Sequence, residues 1–322
     1  MDVYDKPYLS PYDLINTHLA TRGITYSASF TSAQAEDFLS KVSWFRFKSY
    51  LYPYLSHPTK NYIPGTKFEQ GIHLYYFDCA LRELCNKYIL RVEVKARTIF
   101  DQVITSITND SFWYLDDDFF YEPQNKIYNE RQKVINYLKS SKTEFAQHYK
   151  NNYFSKNKSY RASPPFWMAI ELMTFDSLMK FIDAIDTTKF TSSGINHLNV
   201  IGTRVGAASF KELKSWLHTL KELRNRSSHS NRTWNSNYRQ PSGFVDNNNN
   251  LLAGSYLAYP PSLRNKVYLI LCALNIISKK IIVPQGSFQN ELKSLMISHS
   301  FIPNLEHSMG MPVNWLSDPL WN

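Results

Sequence analysis

The stretch that decides the fold covers residues 72–107 and reads IHLYYFDCALRELCNKYILRVEVKARTIFDQVITSI. It contains neither Gly nor Pro, the two residues that weaken a helix interior most. Its apolar side chains recur at spacings of three and four residues: Leu81, Leu84, Cys85, Tyr88, Ile89 and Val92. This period places them on one face of a helix. The pattern therefore predicts a long helix over residues 68–107.

Other segments carry weaker signals of the same kind. Helical patterns cover residues 128–150, 208–224 and 262–280. A further helix is expected to begin after Pro164-Pro165, because proline is favoured in a first helical turn. Its apolar positions, Trp167, Ile170, Leu178 and Phe181, predict a mostly buried helix, in which Glu171 would need a charged partner.

These patterns predict an all-α fold, since no strand alternation of useful length and no internal repeat is found. We expect a helical domain over residues 31–285. Residues 1–30 would form an N-terminal extension packed on that domain, with a short helix that Ser10 caps. Residues 286–322, which hold three prolines, would form an irregular tail.

The composition limits the possible functions. Hydrophobic residues make up 43% of the 322 residues, which argues against global disorder. Only 10 glycines occur, which argues against glycine-rich cofactor loops. The formal net charge of +9 favours a polyanionic partner, either nucleic acid or an anionic membrane face. A merely basic soluble protein is the alternative.

The cysteines and the apolar runs indicate a compartment. Cys79, Cys85 and Cys272 lack metal-ligand spacing and cannot all pair, which indicates a reducing environment. The first residues, MDVYD, do not have the pattern of a signal peptide. The longest apolar run, Val267–Ile277, is too short to span a bilayer. We therefore expect a cytoplasmic protein without a membrane partner.

The most informative short motif is Arg224-Asn225-Arg226-Ser227-Ser228-His229. An imidazole can transfer a proton near neutral pH, and a guanidinium can hold a phosphate with a planar fork of donors. The apolar stripe Phe210, Leu213, Leu217 and Leu220 continues to Arg224, which predicts a core-facing arginine. The pattern thus indicates proton transfer next to a bound phosphate.

The spacing of the motif limits its geometry. Five positions along a regular helix rotate a side chain by about 140°, so Arg224 and His229 would not share a face. Either the helix ends or bends near Ser227-Ser228, or two copies of the motif meet in a dimer; both can hold.

Signals for other chemistries are weak. The acidic cluster Asp116-Asp117-Asp118 has no second carboxylate group at ligand-like spacing, so a solvated loop or a helix start is the better interpretation. We find no Walker loop, no zinc-protease motif and no serine-hydrolase elbow. The sequence therefore predicts no metal and no cofactor.

Four blocks, in order, resemble the Abi-like (abortive infection) family of bacterial anti-phage proteins, in particular its AbiD and AbiF type. This family is part of the HEPN group of helical nucleic-acid enzymes. The resemblance covers about residues 30–240. Its blocks lie at Trp44–Tyr54, Phe77–Arg97, Pro165–Phe175 and Leu223–Asn235. Where the family often carries a second histidine next to His229, this chain has Ser230.

The resemblance implies a HEPN-like helical domain that cuts RNA without a metal. The 2′-hydroxyl would attack the phosphorus, and DNA, which lacks this hydroxyl, should resist. His229 would act as general acid or base, Arg224 would stabilise the phosphoryl charge, and Asn225 would orient an oxygen or fix the backbone. Arg226, Arg232 and Trp234 would contact RNA; a solvated arginine or a packed indole is the alternative for each.

The implied partners are RNA and a second copy of the chain. HEPN ribonucleases generally use a composite dimer site, so we expect a homodimer. The family also implies control by a structured small RNA or a partner protein. The alternative function is a non-catalytic RNA-binding or RNA-sensing protein that keeps the same scaffold.

Overall fold

The computed structural model describes residues 7–121, 127–154, 162–244, 261–281 and 286–322. Over these residues the chain is helical apart from turns, loops and one small hairpin. The predicted all-α fold is confirmed. The long helix predicted over residues 68–107 is α4, Phe68–Thr108. Its predicted stripe is buried along its length, from Leu81 to Val92.

The contacts divide the chain into two compact units. The first comprises residues 1–81 and 295–305, and the second comprises residues 82–294 and 306–322. One boundary falls inside α4. The domain boundaries predicted after residues 30 and 285 divide the chain by sequence pattern and not by contacts, so they stay a prediction.

The first unit is built around aromatic side chains. Its other α-helices are α1 (Pro11–Asp13), α2 (Ser32–Lys41) and α3 (Trp44–Phe47), and α1 continues directly into a π-helix over Leu14–Leu19. As predicted, Ser10 caps α1. The rings of Phe38, Phe47 and Phe68 pack together, with Phe47 centred 4.9 Å from each of the other two. The buried Tyr50 hydroxyl donates a 2.6 Å hydrogen bond to Asp78, so the carboxylate inside this unit has a partner.

The second unit contains the remaining helices and the hairpin. The helices are α5 (Ile127–Ser140), α6 (Glu144–Asn152), α7 (Phe166–Leu172), α8 (Phe175–Ala184), α9 (Asn199–Thr203), α10 (Phe210–Ser228), α11 (Tyr268–Lys279), α12 (Phe288–Ser298, whose end lies in the first unit) and α13 (Leu305–Met309). In the antiparallel hairpin, β1 (Thr191–Ser192) pairs with β2 (Ile195–Asn196).

Helix α10 packs against the second half of α4. The rings of Phe100 and Phe210 lie 5.9 Å apart near the start of α10. Glu93 meets Arg224 near its end. Since higher residues of α10 meet lower residues of α4, the two helices run antiparallel. This arrangement brings the end of α10 beside a fixed stretch of α4.

Two predicted helices are each broken in two. The helix predicted over residues 128–150 is interrupted between Ser140 and Glu144. The helix after Pro165 ends at Leu172, and Thr174 caps a new one by accepting a hydrogen bond from the Ser177 backbone. Threonine competes for backbone donors in this way, which favours a helix start over a helix interior.

The predictions for two residues and for the C-terminal tail need correction. Of the apolar positions predicted to be buried after Pro165, Ile170, Leu178 and Phe181 are buried, whereas Trp167 is 46% exposed. Glu171 is exposed as well, because it lies in the last turn of α7 on the outer side. The tail is more regular than predicted: it contains α12 and α13, and both of its tryptophans, Trp315 and Trp321, are buried.

Charged side chains link α8 to α10. Asp176 lies 2.8 Å from Lys180 and 2.8 Å from Lys221. Hydrogen bonds from these lysines lower the pKa of the Asp176 carboxyl to about 2. A carboxylate with a depressed pKa contributes stability at neutral pH, and it loses that contribution as the pH falls towards the folded-state value.

We predict that Asp176→Asn lowers the free energy of unfolding at pH 7 by at most about 1 kcal/mol, because a half-exposed ion pair is screened by solvent. The difference from the wild type should shrink as the pH falls from 4 towards 2, where the wild-type carboxyl is also protonated. Urea unfolding at several pH values measures this. Asp118→Asn, at an exposed carboxylate, is the control; an equal loss in both variants would contradict the prediction.

Candidate active site at the end of helix α10

Helix α10 begins and ends at specific signals. The Ser209 side chain caps it by accepting a hydrogen bond from the Glu212 backbone. The predicted stripe, from Phe210 to Leu220, is buried. The helix continues past the predicted end at residue 224 and stops at Ser228. Arg224 and Asn225 therefore lie inside the last turns, and His229 is the first residue after the helix.

The end of the helix is closed by backbone hydrogen bonds. Ser230 adopts a positive φ of 53°. Its N–H donates to the Ser227 carbonyl over 3.1 Å, and the Asn231 N–H donates to the Arg226 carbonyl over 2.8 Å. This pair of bonds is a Schellman motif, which satisfies carbonyls that a helix end leaves open. Of the geometries foreseen for the motif, a helix end at Ser227-Ser228 is therefore realised within the chain.

Arg224 is held against α4. Its Nε lies 3.2 Å from Oε1 of Glu93, and its side chain is 35% exposed. Its Nη1 also lies 3.4 Å from Oδ1 of Asn225, to which it donates. The prediction of a core-facing arginine is thus correct for the direction of the side chain, while part of the guanidinium stays open to solvent.

Glu93 is a buried carboxylate that is paired with Arg224 and also feels the charge of Arg97. Burial raises the pKa of the Glu93 carboxyl, and the charges of Arg224 and Arg97 act against this rise. Burial also lowers the pKa of Arg97, against the charges of Glu171 and Glu93. Arg97 donates from Nη1 to the Ile170 carbonyl, which ties this cluster to α7.

His229 and Asn225 are both exposed. The His229 backbone N–H donates to the Asn225 carbonyl over 3.1 Å. Within the described part of the chain, the imidazole itself makes no hydrogen bond, ion pair or ring contact. The structure therefore brings Arg224 and Asn225 together, and it places the His229 imidazole nearby in solvent without joining it to the arginine.

Arg226 has a structural role. It forms hydrogen bonds of 2.9–3.2 Å with Glu222 and one of 3.0 Å with the Asn237 carbonyl. Its guanidinium also lies 4.5 Å from the ring centre of Tyr238. Arg226 thus fastens the segment after the helix to the helix itself. RNA contact by this residue would have to compete with these interactions.

The other two predicted RNA contacts differ in accessibility. Trp234 is only 2% exposed, which corresponds to the packed indole given as its alternative. Arg232 is half-buried. Burial and then the charge of Arg232 lower the pKa of Lys266, so these two cations lie near each other.

Sequence reasoning missed the residues that α4 contributes. These are Glu93, Arg97 and Asn86, whose Oδ1 lies 3.5 Å from the Ser228 hydroxyl. Their spacing of seven and four residues places them on one helical face. The signal in the sequence was a glutamate, Glu93, one helical turn before an arginine, Arg97. The polar residues on the outer face of α4 include glutamates and arginines too, so this signal did not stand out.

The described residues form neither a metal site nor a membrane span. No group of three or more His, Cys, Asp or Glu side chains there could hold a metal ion. No helix among them has both the length and the apolar character needed to cross a bilayer.

The fold and the site define an all-α protein with a basic, partly open arginine at a helix end. Comparison with known families then identifies it: a family model described as Abi-like protein matches residues 37–235. The chain belongs to the Abi-like family. This membership supports a role in abortive infection, a defence against phage. No curated protein and no solved structure matches the chain.

We predict that Arg226→Ala lowers the free energy of unfolding by about 1–2 kcal/mol, since it removes charged hydrogen bonds and a cation–π contact. His229→Ala should change it by less than about 0.5 kcal/mol, as expected for an exposed side chain without contacts. Urea unfolding compares the two variants. Equal stability of Arg226→Ala and wild type would show that the Tyr238 segment is held by other contacts.

Proposed function

We propose that this Abi-like protein is a metal-independent endoribonuclease of the HEPN type, close to the AbiD and AbiF proteins, that acts in abortive infection. One observation carries the proposal. A guanidinium held by a buried carboxylate and an unengaged, exposed imidazole lie at the same helix end. These are the groups needed to bind a phosphate and to transfer a proton.

The proposed reaction is an internal transfer of the phosphoryl group. The 2′-hydroxyl loses its proton to a general base, and its oxygen forms a bond to phosphorus. The bond from phosphorus to the 5′-oxygen breaks, and a general acid protonates the leaving oxygen. The products are a 2′,3′-cyclic phosphate and a 5′-hydroxyl. His229 acts as the base or the acid, and Arg224 stabilises negative charge on the phosphoryl oxygens.

Glu93 would position the arginine for this task. Its Oε1 faces Nε of Arg224, at the inner end of the guanidinium. The outer nitrogens are then left to meet a phosphate, and Asn225 lies within 3.4 Å of one of them. Holding a charged group in place before the reaction avoids the cost of reorganising it in the transition state.

A second copy of the chain would complete the site. The His229 imidazole does not contact Arg224 within its own chain. A homodimer in which His229 of one copy approaches Arg224 of the other would supply both an imidazole and a guanidinium at one phosphate.

The second candidate is a non-catalytic protein that binds or senses RNA under control of a structured small RNA or a partner protein. The position of His229 favours it, since the imidazole does not contact Arg224 within its own chain and Arg224 is paired with Glu93 instead. The net charge of +9 fits a bound RNA as well as a substrate RNA. Both candidates place the protein in the cytoplasm, without a cofactor.

The test of catalysis uses purified protein, mixed cellular RNA and EDTA. We expect wild-type protein to give fragments that end in a 2′,3′-cyclic phosphate. We expect His229→Ala and Arg224→Ala each to lower the rate by about 100-fold or more. DNA of matched sequence should stay intact, because it lacks the attacking hydroxyl.

Control variants separate this result from contamination, and the unfolding temperature of each variant separates it from misfolding. His307→Ala and Arg204→Ala change an exposed histidine and an exposed arginine elsewhere in the chain, and both should keep full activity. Intact RNA with wild-type protein, together with bound RNA that co-purifies, would favour the non-catalytic candidate. A requirement for a divalent metal would contradict both candidates.

Mixing the two inactive variants tests the composite site. A heterodimer of Arg224→Ala and His229→Ala has one site in which both residues are intact, if the site pairs residues from different copies. Random mixing should then restore about a quarter of the wild-type activity, since half of the dimers are mixed and each has one working site. If the subunits are shown to exchange and no activity returns, Arg224 and His229 of one site must come from the same chain.

A further inference from the structure

A segment of the first unit combines basic and aromatic residues with a complete lack of acidic ones. Residues 38–68 contain no Asp or Glu. Their cationic residues are Lys41, Arg46, Lys48, Lys60 and Lys67, and they are interspersed with nine Phe, Tyr and Trp residues. Lys41 is paired with Asp37, 2.6 Å away and just before the segment. The other cations make a local positive field next to rings that can stack.

Packing accounts for several of these rings. Phe47 and Tyr50 are 0% and 1% exposed and belong to the aromatic core. Trp44 is half-buried, with its ring 6.3 Å from His18 and 6.5 Å from Phe47. The core therefore explains why these positions are aromatic.

Phe45 is different, because the core does not use it. It is 81% exposed on the short helix α3, while its neighbours Trp44 and Phe47 face inward. The Nζ of Lys48 lies 4.8 Å from its ring centre. Arg46, the next residue, is also exposed. A large apolar ring is thus presented to solvent among cations, which favours neither solubility nor packing.

We propose that Phe45, Arg46 and Lys48 form a binding site for single-stranded RNA. A base would stack on the open side of the Phe45 ring, and the phosphates beside it would meet Lys48 and Arg46. A stacked aromatic among cations is the usual arrangement in single-strand binding. This proposal rests on the proposed function only in taking RNA as the ligand.

The charges favour RNA over a protein partner. The centre of a protein interface is depleted of lysine, and its apolar side chains are usually contiguous. Here the exposed Phe45 is followed by Arg46 and Lys48, on a stretch of chain without a carboxylate. A phosphate backbone matches that charge pattern.

The experiment measures binding of a fluorescent, single-stranded RNA of about 20 nucleotides by anisotropy. The full chain carries His229→Ala, so that the RNA is not cut. We expect Phe45→Ala to weaken binding about 5- to 100-fold, the effect of losing one stacked base. Phe45→Trp should retain binding. Lys48→Glu should weaken it and reduce the dependence of log Kd on log salt concentration by about one.

Controls match each change. Tyr8→Ala removes a ring with 86% exposure, and Lys142→Glu makes the same change of charge at an exposed lysine elsewhere in the chain; both should bind nearly as the parent does. Circular dichroism and the unfolding temperature should be unchanged in Phe45→Ala, since the ring is outside the core.

Two outcomes would overturn the proposal. In the first, Phe45→Ala binds RNA within about twofold of the parent. In the second, RNA binding is unchanged while the mass in solution falls, which would make Phe45 part of a protein interface. Failure here is distinct from failure of the proposed function, because cleavage is measured with His229 present. Loss of binding in Phe45→Ala, without cleavage by any variant, would support this site and refute the nuclease.

Discussion

A buried carboxylate needs a cation, and in this protein that need fixes the end of helix α10. Glu93 is 7% exposed and faces the guanidiniums of Arg224 and Arg97. Removing either partner of such a pair leaves an unpaired charge inside the protein, which is strongly destabilising. The same contact that compensates Glu93 also sets the direction in which Arg224 points, so the requirement of the fold and the geometry of the site coincide.

The other constraint on the site is where the helix stops. The Schellman bonds of Ser230 and Asn231 end α10 just before His229, and Arg226 ties the following segment back to the helix. Neighbouring residues of one short motif therefore do different work. Arg224 contacts α4 and is partly exposed, Arg226 holds the following segment against the helix, and the His229 side chain is exposed to solvent.

Much of the fold could be predicted from the sequence, because helical period and the absence of Gly and Pro are local signals. They located α4 and α10 well, although α10 runs to Ser228. The break at Thr174 was missed, because a threonine that caps a helix looks like any polar residue on a helix surface. The break near Ser141 was missed as well, and no side-chain cap marks the helix that follows it. The contact between Glu93 and Arg224 could not be predicted in this way. The two residues lie far apart along the chain, and nothing in the sequence pattern of α4 distinguishes Glu93 from its solvated glutamates. The burial of Trp234 likewise depends on how the chain packs, which its amino-acid composition does not predict.

The exposure of His229 has a consequence for how the proposed activity can be lost during evolution. Most substitutions that abolish a protein act through unfolding, and cells remove the unfolded chains by degradation. A change at His229 meets no neighbour within the described residues and would leave a folded, abundant chain. If the proposed nuclease activity harms the cell, a bacterial lineage could thus silence it with one codon and keep the protein. If the active form is a dimer, such chains would also assemble with intact ones, and a single altered gene copy would weaken the defence of a cell that still carries a working one.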